Sequence, residues 1–166
     1  MHAIVAVDEN WGIGLDNKLL FDIPEDMQYF KDYTLGKVVV MGYNTLLSLP
    51  KSKPLPNRTN IVLCDDVSFK QENVIVCNSI PELLEAAKNY NPDEVIIIGG
   101  AAVYEQMLPF CETVLVTKVK AARSSDKFFP NLDQKENWAA ESVSETKTHE
   151  DLEFNFYVYR NLKPIG

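Results

Sequence analysis

Apolar residues in this chain fall into short continuous runs separated by polar, glycine-containing or proline-rich stretches. The runs are Ala3-Ile4-Val5-Ala6-Val7, Val38-Val39-Val40-Met41, Asn60-Ile61-Val62-Leu63-Cys64, Val74-Ile75-Val76-Cys77, Val95-Ile96-Ile97-Ile98 and Thr113-Val114-Leu115-Val116-Thr117. Each is short and rich in β-branched residues, which predicts a strand, and the first two read as buried strands. Between the runs the period lengthens. Pro24 opens a helix that ends near Gly36, because proline lacks only an N–H that a first turn leaves unpaired. Residues 43–48 predict a short helix, and 101–108 another directly after Gly99-Gly100. Ser79 caps a third, with Pro81 in its first turn and Ile80, Leu83, Leu84 and Ala87 on one face. Near the C-terminus alternation replaces continuity. Residues 138–144 and 154–160 read as a hairpin, in which Phe154, Phe156 and Val158 alternate with Asn155, Tyr157 and Tyr159. Pro50, Pro54 and Pro56 stiffen one connection, and residues 8–22 and the stretch reaching about Asn137 read as long loops. The whole predicts one α/β domain over residues 1–166. Its core is a mostly parallel eight-stranded sheet with helices on both faces and an antiparallel hairpin at the end.

One polar residue interrupts this pattern. Ile23, Met27, Phe30 and Thr34 recur at helical spacing and form an inward stripe, and Asp26 lies on it. Glu25, Gln28, Lys31 and Asp32 point to water. A carboxylate aimed at an apolar interior is costly unless a protein donor or a ligand pairs with it. The helix dipole alone also favours a first-turn acid, so the stripe leaves a functional and a purely local role open.

Composition narrows the class. A content of 46% hydrophobic and 24% charged residues is that of an ordinary globular protein. The net charge of −8 argues against nucleic acid and anionic membranes as partners, since both need basic patches. Cys64, Cys77 and Cys111 form no CxxC pair, and His2 and His149 stand far apart, so no metal centre and no disulfide framework is expected. With no basic leader or long apolar segment at the start, a cytoplasmic protein is expected.

In a largely parallel sheet, ligands sit beyond the carboxyl ends of the strands. Those ends are Asp8 and its loop, Gly42-Tyr43-Asn44-Thr45, Cys64-Asp65-Asp66 and Gly99-Gly100-Ala101. Glycine directly before a helix lets backbone N–H groups approach a phosphate. Gly99-Gly100-Ala101-Ala102 is not the dinucleotide fingerprint G-x-G-x-x-G.

Several ordered segments together resemble the bacterial type of dihydrofolate reductase. They are Ile4-Val5-Ala6-Val7 with Gly12-Ile13-Gly14, Leu20-Phe21-Asp22-Ile23-Pro24-Glu25-Asp26, and Val40-Met41-Gly42 with Thr45. Pro54-Leu55-Pro56-Asn57-Arg58, Asn60-Ile61-Val62-Leu63, Ile98-Gly99-Gly100-Ala101-Ala102-Val103-Tyr104, Thr117 and Asp126-Lys127-Phe128-Phe129-Pro130 follow in order. The resemblance covers nearly the whole chain. It implies hydride transfer from a reduced nicotinamide to 7,8-dihydrofolate, in support of one-carbon and thymidylate metabolism, by a monomer that also binds antifolates. It implies Asp26 as the active-site acid, with Thr117 hydrogen-bonded to its carboxylate and Phe21 beside it. Ile4, Ala6, Met27, Phe30, Leu49 and Ile98 would form the walls around the substrate rings, and Arg58 would grip its glutamate tail. Around NADPH the resemblance places Ala6, Ile13, Gly14 and Leu19 near the first strand, and Gly42, Tyr43, Asn44 and Thr45 after the second. Leu63, Cys64, Asp65 and Asn78 would stand at the outer strand ends, and Ile98, Gly99, Gly100, Ala101, Ala102, Val103 and Tyr104 at the glycine pair.

Three departures stand out. Leu20-Phe21 replaces the Pro-Trp of most members, which removes an indole N–H and a rigid residue, so a more mobile lid is expected. Where members that prefer NADPH place basic or hydroxyl groups around the 2′-phosphate, this chain has Tyr43, Cys64-Asp65, Asn78 and Ala102, with no base among them. Weak discrimination against NADH, or a preference for it, is therefore expected, unless Lys37, Lys51 or Lys53 reaches the phosphate. Two rival readings remain: another pteridine- or pyrimidine-type reductase on this scaffold, or a non-catalytic α/β domain such as a receiver using Asp8-Glu9 and Asp65-Asp66.

Overall fold

In the computed structural model, which describes residues 1–166, all the apolar runs become strands, buried on both faces except at the sheet edge, where Ile75 is exposed. The chain begins with β1 (His2–Val7). A small hairpin, β2 (Gly12–Leu15) and β3 (Lys18–Leu19), then occupies the segment expected to be loop. Next come α1 (Pro24–Thr34), β4 (Val38–Gly42), α2 (Tyr43–Ser48), β5 (Thr59–Leu63), β6 (Val74–Cys77) and α3 (Ile80–Ala87). The second half holds β7 (Val95–Gly99), α4 (Ala101–Met107), β8 (Thr113–Val119), β9 (Lys127–Phe128), β10 (Trp138–Val143), β11 (Lys147–His149) and β12 (Leu152–Asn161).

The main sheet runs β10-β12-β8-β1-β7-β4-β5-β6, and β11 adds a ninth strand against β12 to the eight expected. β8, β1, β7, β4, β5 and β6 are parallel, and β12 enters antiparallel to β8. The C-terminal hairpin is thus folded inward. β12 lies between β8 and β10 and is covered on both sides, so Tyr159 is buried although alternation placed it on a polar face. Its ring meets Trp11 edge-on, and its hydroxyl donates to Asp133 Oδ1 at 2.7 Å.

The two-residue period of each strand sorts the core. Val38, Val40, Ile61 and Ile97 pack with Leu83 and Ala87 of α3 and Val103 and Met107 of α4. Val39, Met41 and Val62 pack with Leu46 of α2. Ile4, Ile96 and Leu115 carry Tyr29, Phe30 and Tyr33 of α1, and Ile98 touches both of these latter groups. α1 and α2 therefore share one face, with Ile98 between them.

The stripe on α1 is rotated from the expected one. Ile23 and Thr34 are buried, but Met27 is 47% exposed, and Tyr29 and Tyr33 take the inward positions. Tyr29 stacks on Phe156 of β12 with centroids 4.1 Å apart. Glu25, Gln28, Lys31 and Asp32 face solvent as their spacing predicts. No helix is long and apolar enough to cross a membrane.

Candidate active site

α1 brings Asp26 against β8. Thr117 Oγ1, itself buried, donates to Asp26 Oδ1 at 2.6 Å, and no other group of the chain hydrogen-bonds that carboxylate. Burial pushes the Asp26 pKa up, and the Thr117 hydrogen bond pulls it back. The acid is half-buried and has one oxygen left to accept hydrogen bonds. Ile4, half-buried Phe30 and Ile98 form an apolar floor where α1 meets the sheet, Ile98 and Leu49 continue it toward α2, and Met27 stands exposed on α1. The two histidines lie away from it: His2 Nδ1 bonds Thr113 at the opposite end of the sheet, and His149 sits on β11.

Arg58 is fixed to the far end of the same helix. Its Nε donates to Thr34 Oγ1 at 2.8 Å and its Nη1 to Pro56 O at 2.7 Å, while Thr34 Oγ1 donates to Phe30 O. Three of its five N–H groups remain for a ligand, and no acid of the chain pairs with it.

The loop before α1 is tied down by residues whose sequence context gives no sign of it. Asp8 is buried, and its carboxylate accepts from Asn10 N (2.9 Å), Gly12 N (2.8 Å) and Arg123 N (2.9 Å). It is fully used in joining two loops, which removes the acidic handle of a receiver. Arg123 Nη1 donates to Leu20 O at 2.5 Å, and its guanidinium covers the Phe21 ring at 4.5 Å. The tether that a proline would supply at Leu20 comes instead from across the chain. β9 completes the lid by pairing with β2.

Beyond the strand ends lies a cavity of about 800 Å3. Gly42, Tyr43, Asn44, Thr45, Leu63, Cys64, Asp65, Asn78, Gly100, Ala101, Ala102 and Val103 line it, all named from the sequence. Asn17, Ser79, Ile80, Gln106 and Lys127 also line it, and the sequence assigned none of them to a site. Ala6, Ile13, Gly14, Leu19, Ile98, Gly99 and Tyr104 lie outside the lining. Tyr104 is buried, donating to Ile4 O at 2.6 Å, Ile13 is buried with it in the core, and Leu19 is 72% exposed on the hairpin. The Gly99–Gly100 peptide is cis, and Gly99 has φ +134°, a conformation open to glycine. A Cβ on Gly100 would sit 3.3 Å from Thr45 Oγ1, so glycine keeps the backbone bare at the cavity wall. A separate concavity of about 550 Å3, lined by Leu108, Phe128, Trp138 and Ile165, holds none of these groups.

The sequence model of the dihydrofolate reductase family matches residues 1–161. A dihydrofolate reductase of Bacillus subtilis is 32% identical over 167 residues, spanning 98% of this chain and 96% of that protein. One of Neisseria gonorrhoeae is 35% identical over 156 residues, 94% of each. Among solved structures, the dihydrofolate reductase of Enterococcus faecalis complexed with NADP(H) and RAB-propyl superposes with a TM-score of 0.85 at 30% identity, covering 96% of this chain and 95% of that one. With the sheet order, the bare glycine turn and the half-buried acid already in place, these matches settle the family: the chain belongs to the dihydrofolate reductases.

Proposed function

We propose that this protein reduces 7,8-dihydrofolate to 5,6,7,8-tetrahydrofolate with a reduced nicotinamide dinucleotide. The observation that carries the reading is Asp26, oriented by Thr117 at 2.6 Å, with an oxygen free at the edge of an apolar floor. A pterin edge presents a ring N–H beside an exocyclic amine, and one carboxylate accepts both. The same carboxylate takes the matching edge of an antifolate.

The residues fit the dinucleotide as well. Asn44 and Thr45 where α2 opens and Ala101 and Ala102 where α4 opens line the cavity, where first-turn N–H groups lack helix partners, and Gly100 has no Cβ to meet Thr45. When bound, the nicotinamide supplies the hydride that reduces a C=N bond of the pterin. The chain supplies orientation, a dry floor and one proton's worth of assistance. No second acid and no histidine approaches Asp26, so the proton reaches nitrogen through water. Asp26 favours that step by holding negative charge next to the pterin, which stabilises its protonated form. Phe21, held under Arg123, covers the lid side. The free N–H groups of Arg58 take the glutamate carboxylate as a bidentate pair.

One chain supplies every one of these groups, which supports a monomer; size-exclusion chromatography with light scattering tests it. Three buried free cysteines suit a reducing compartment and support action in the cytoplasm. The central test mixes protein, dihydrofolate and reduced nicotinamide, and follows loss of nicotinamide absorbance. Turnover by the wild type and its collapse in Asp26→Asn at neutral pH are expected. Full-rate turnover by the variant sinks the assignment.

A further inference from the structure

The charge at the outer end of the cavity is negative, and it bears on which dinucleotide enters. The argument rests on the nicotinamide reading above. In the sheet order β8-β1-β7-β4-β5-β6, Asp26 and Thr117 mark the inner end, over β8 and β1. The bare glycine turn stands at β7, and α2 opens at β4. A dinucleotide with its nicotinamide at the inner end and its pyrophosphate at these backbone N–H groups lays its adenosine over the ends of β5 and β6. Cys64, Asp65 and Asn78 stand there.

That end offers no cation. Among the residues lining the whole cavity only Asp65 and Lys127 are charged. Lys127 belongs to the lid layer, where β9 pairs it with Gly14. Lys37 is engaged over the Tyr33 ring at 4.2 Å, and Lys51, Lys53 and Lys70 are not in the lining. Two further acids sit behind Asp65. Asp66 accepts from Ser68, and Glu82 accepts from Asn78 N at 2.7 Å. Asn78 spends its amide on Cys64 O at 2.8 Å. Of the three carboxylates only Asp65 is exposed with no hydrogen bond or ion pair inside the chain.

We infer that Asp65 is a specificity-determining residue that accepts the free ribose diol of NADH and repels the 2′-phosphate of NADPH. A diol gives a carboxylate two donors, whereas a phosphate dianion gives it only like charge. Discrimination here comes as much from what is repelled as from what is gripped. The enzyme then uses NADH about as well as NADPH, or better.

The test is an equilibrium titration of the whole protein with NADH and with NADPH at low salt, following quenching of tryptophan fluorescence. Steady-state kcat/KM with dihydrofolate runs alongside. NADPH is expected to be favoured by less than about tenfold in both readouts, or not at all. In Asp65→Asn both ratios are expected to move toward NADPH by about tenfold or more, through tighter NADPH and weaker NADH. Because Asp65 is exposed and makes no side-chain hydrogen bond or ion pair inside the chain, loss of fold does not confound the variant. Wild-type preference for NADPH of tenfold or more overturns the inference, and so does an Asp65→Asn variant whose ratio stays put. Either of those results leaves the reductase assignment standing. Failure of both dinucleotides to bind removes that assignment too.

Discussion

Two carboxylates stand far apart along the sheet, Asp26 against β8 and Asp65 just past β5, and their surroundings are opposite. Asp26 at the inner end is half-buried, pinned by Thr117 and set on an apolar floor. Asp65 at the outer end is exposed and holds on to nothing in the chain. At the inner end the chain has already borne the cost of orienting and desolvating the acid, so the geometry there is settled before a ligand arrives. At the outer end the acid costs the fold nothing, and its interactions begin only with the ligand. On the proposed reading the fixed group serves the chemistry, whereas the free one selects the dinucleotide.

The largest effect that sharpens this contrast is expected at Asp26. In Asp26→Asn, kcat/KM at neutral pH should fall by at least about a hundredfold, roughly 2.7 kcal/mol. The loss should shrink as pH falls, because only pterin already protonated in solution then remains reducible. Folding should respond the other way. Burial raises the Asp26 pKa, so its contribution to stability is complete below the unfolded carboxylate pKa and is lost as pH rises through the folded value. At neutral pH the charged acid therefore burdens the empty fold. The Asn variant should be more stable by roughly 1 kcal/mol, read as a higher midpoint of denaturant unfolding. A variant both inactive and less stable would erase the contrast.

Next comes Arg58→Gln. Removing a charged bidentate grip should raise KM for dihydrofolate by about thirtyfold, on the order of 2 kcal/mol, with kcat little changed. A fall in kcat alone would place Arg58 outside the tail site. The smallest effect is expected for Thr117→Val, about tenfold in kcat/KM or roughly 1.4 kcal/mol. Its hydrogen bond favours the ionised acid, so losing it should move the acid limb of the pH profile upward. An unmoved limb would mean that Thr117 only packs.

How much of this the sequence disclosed depends on how far apart the partners lie along the chain. The parallel strands were legible because burial on both faces writes itself as unbroken apolar runs. Asp26 was legible because a helical period carries it onto an apolar stripe. The rotation of that stripe was not. A period says which residues share a face, but Met27 is left exposed while Tyr29 and Tyr33 meet strands whose positions only the fold supplies. The β2–β3 hairpin and β9 escaped for a related reason. They are two to four residues long, β2 contains two glycines, and they are strands only because they find each other. The Asp8–Arg123 link joins residues 115 apart, and neither loop's composition announces it.

The hydrogen bond from Arg58 to Thr34 has one more consequence. It locks the guanidinium proposed to grip the glutamate tail to the same helix that carries Asp26, eight residues before Thr34. At 1.5 Å of rise per residue the two stations stand about 12 Å apart along the axis. The helix is therefore a ruler. A folate reaches both marks only through the ring that joins its pterin to its glutamate, and a bare pterin, however well it fits the first mark, leaves the second untouched.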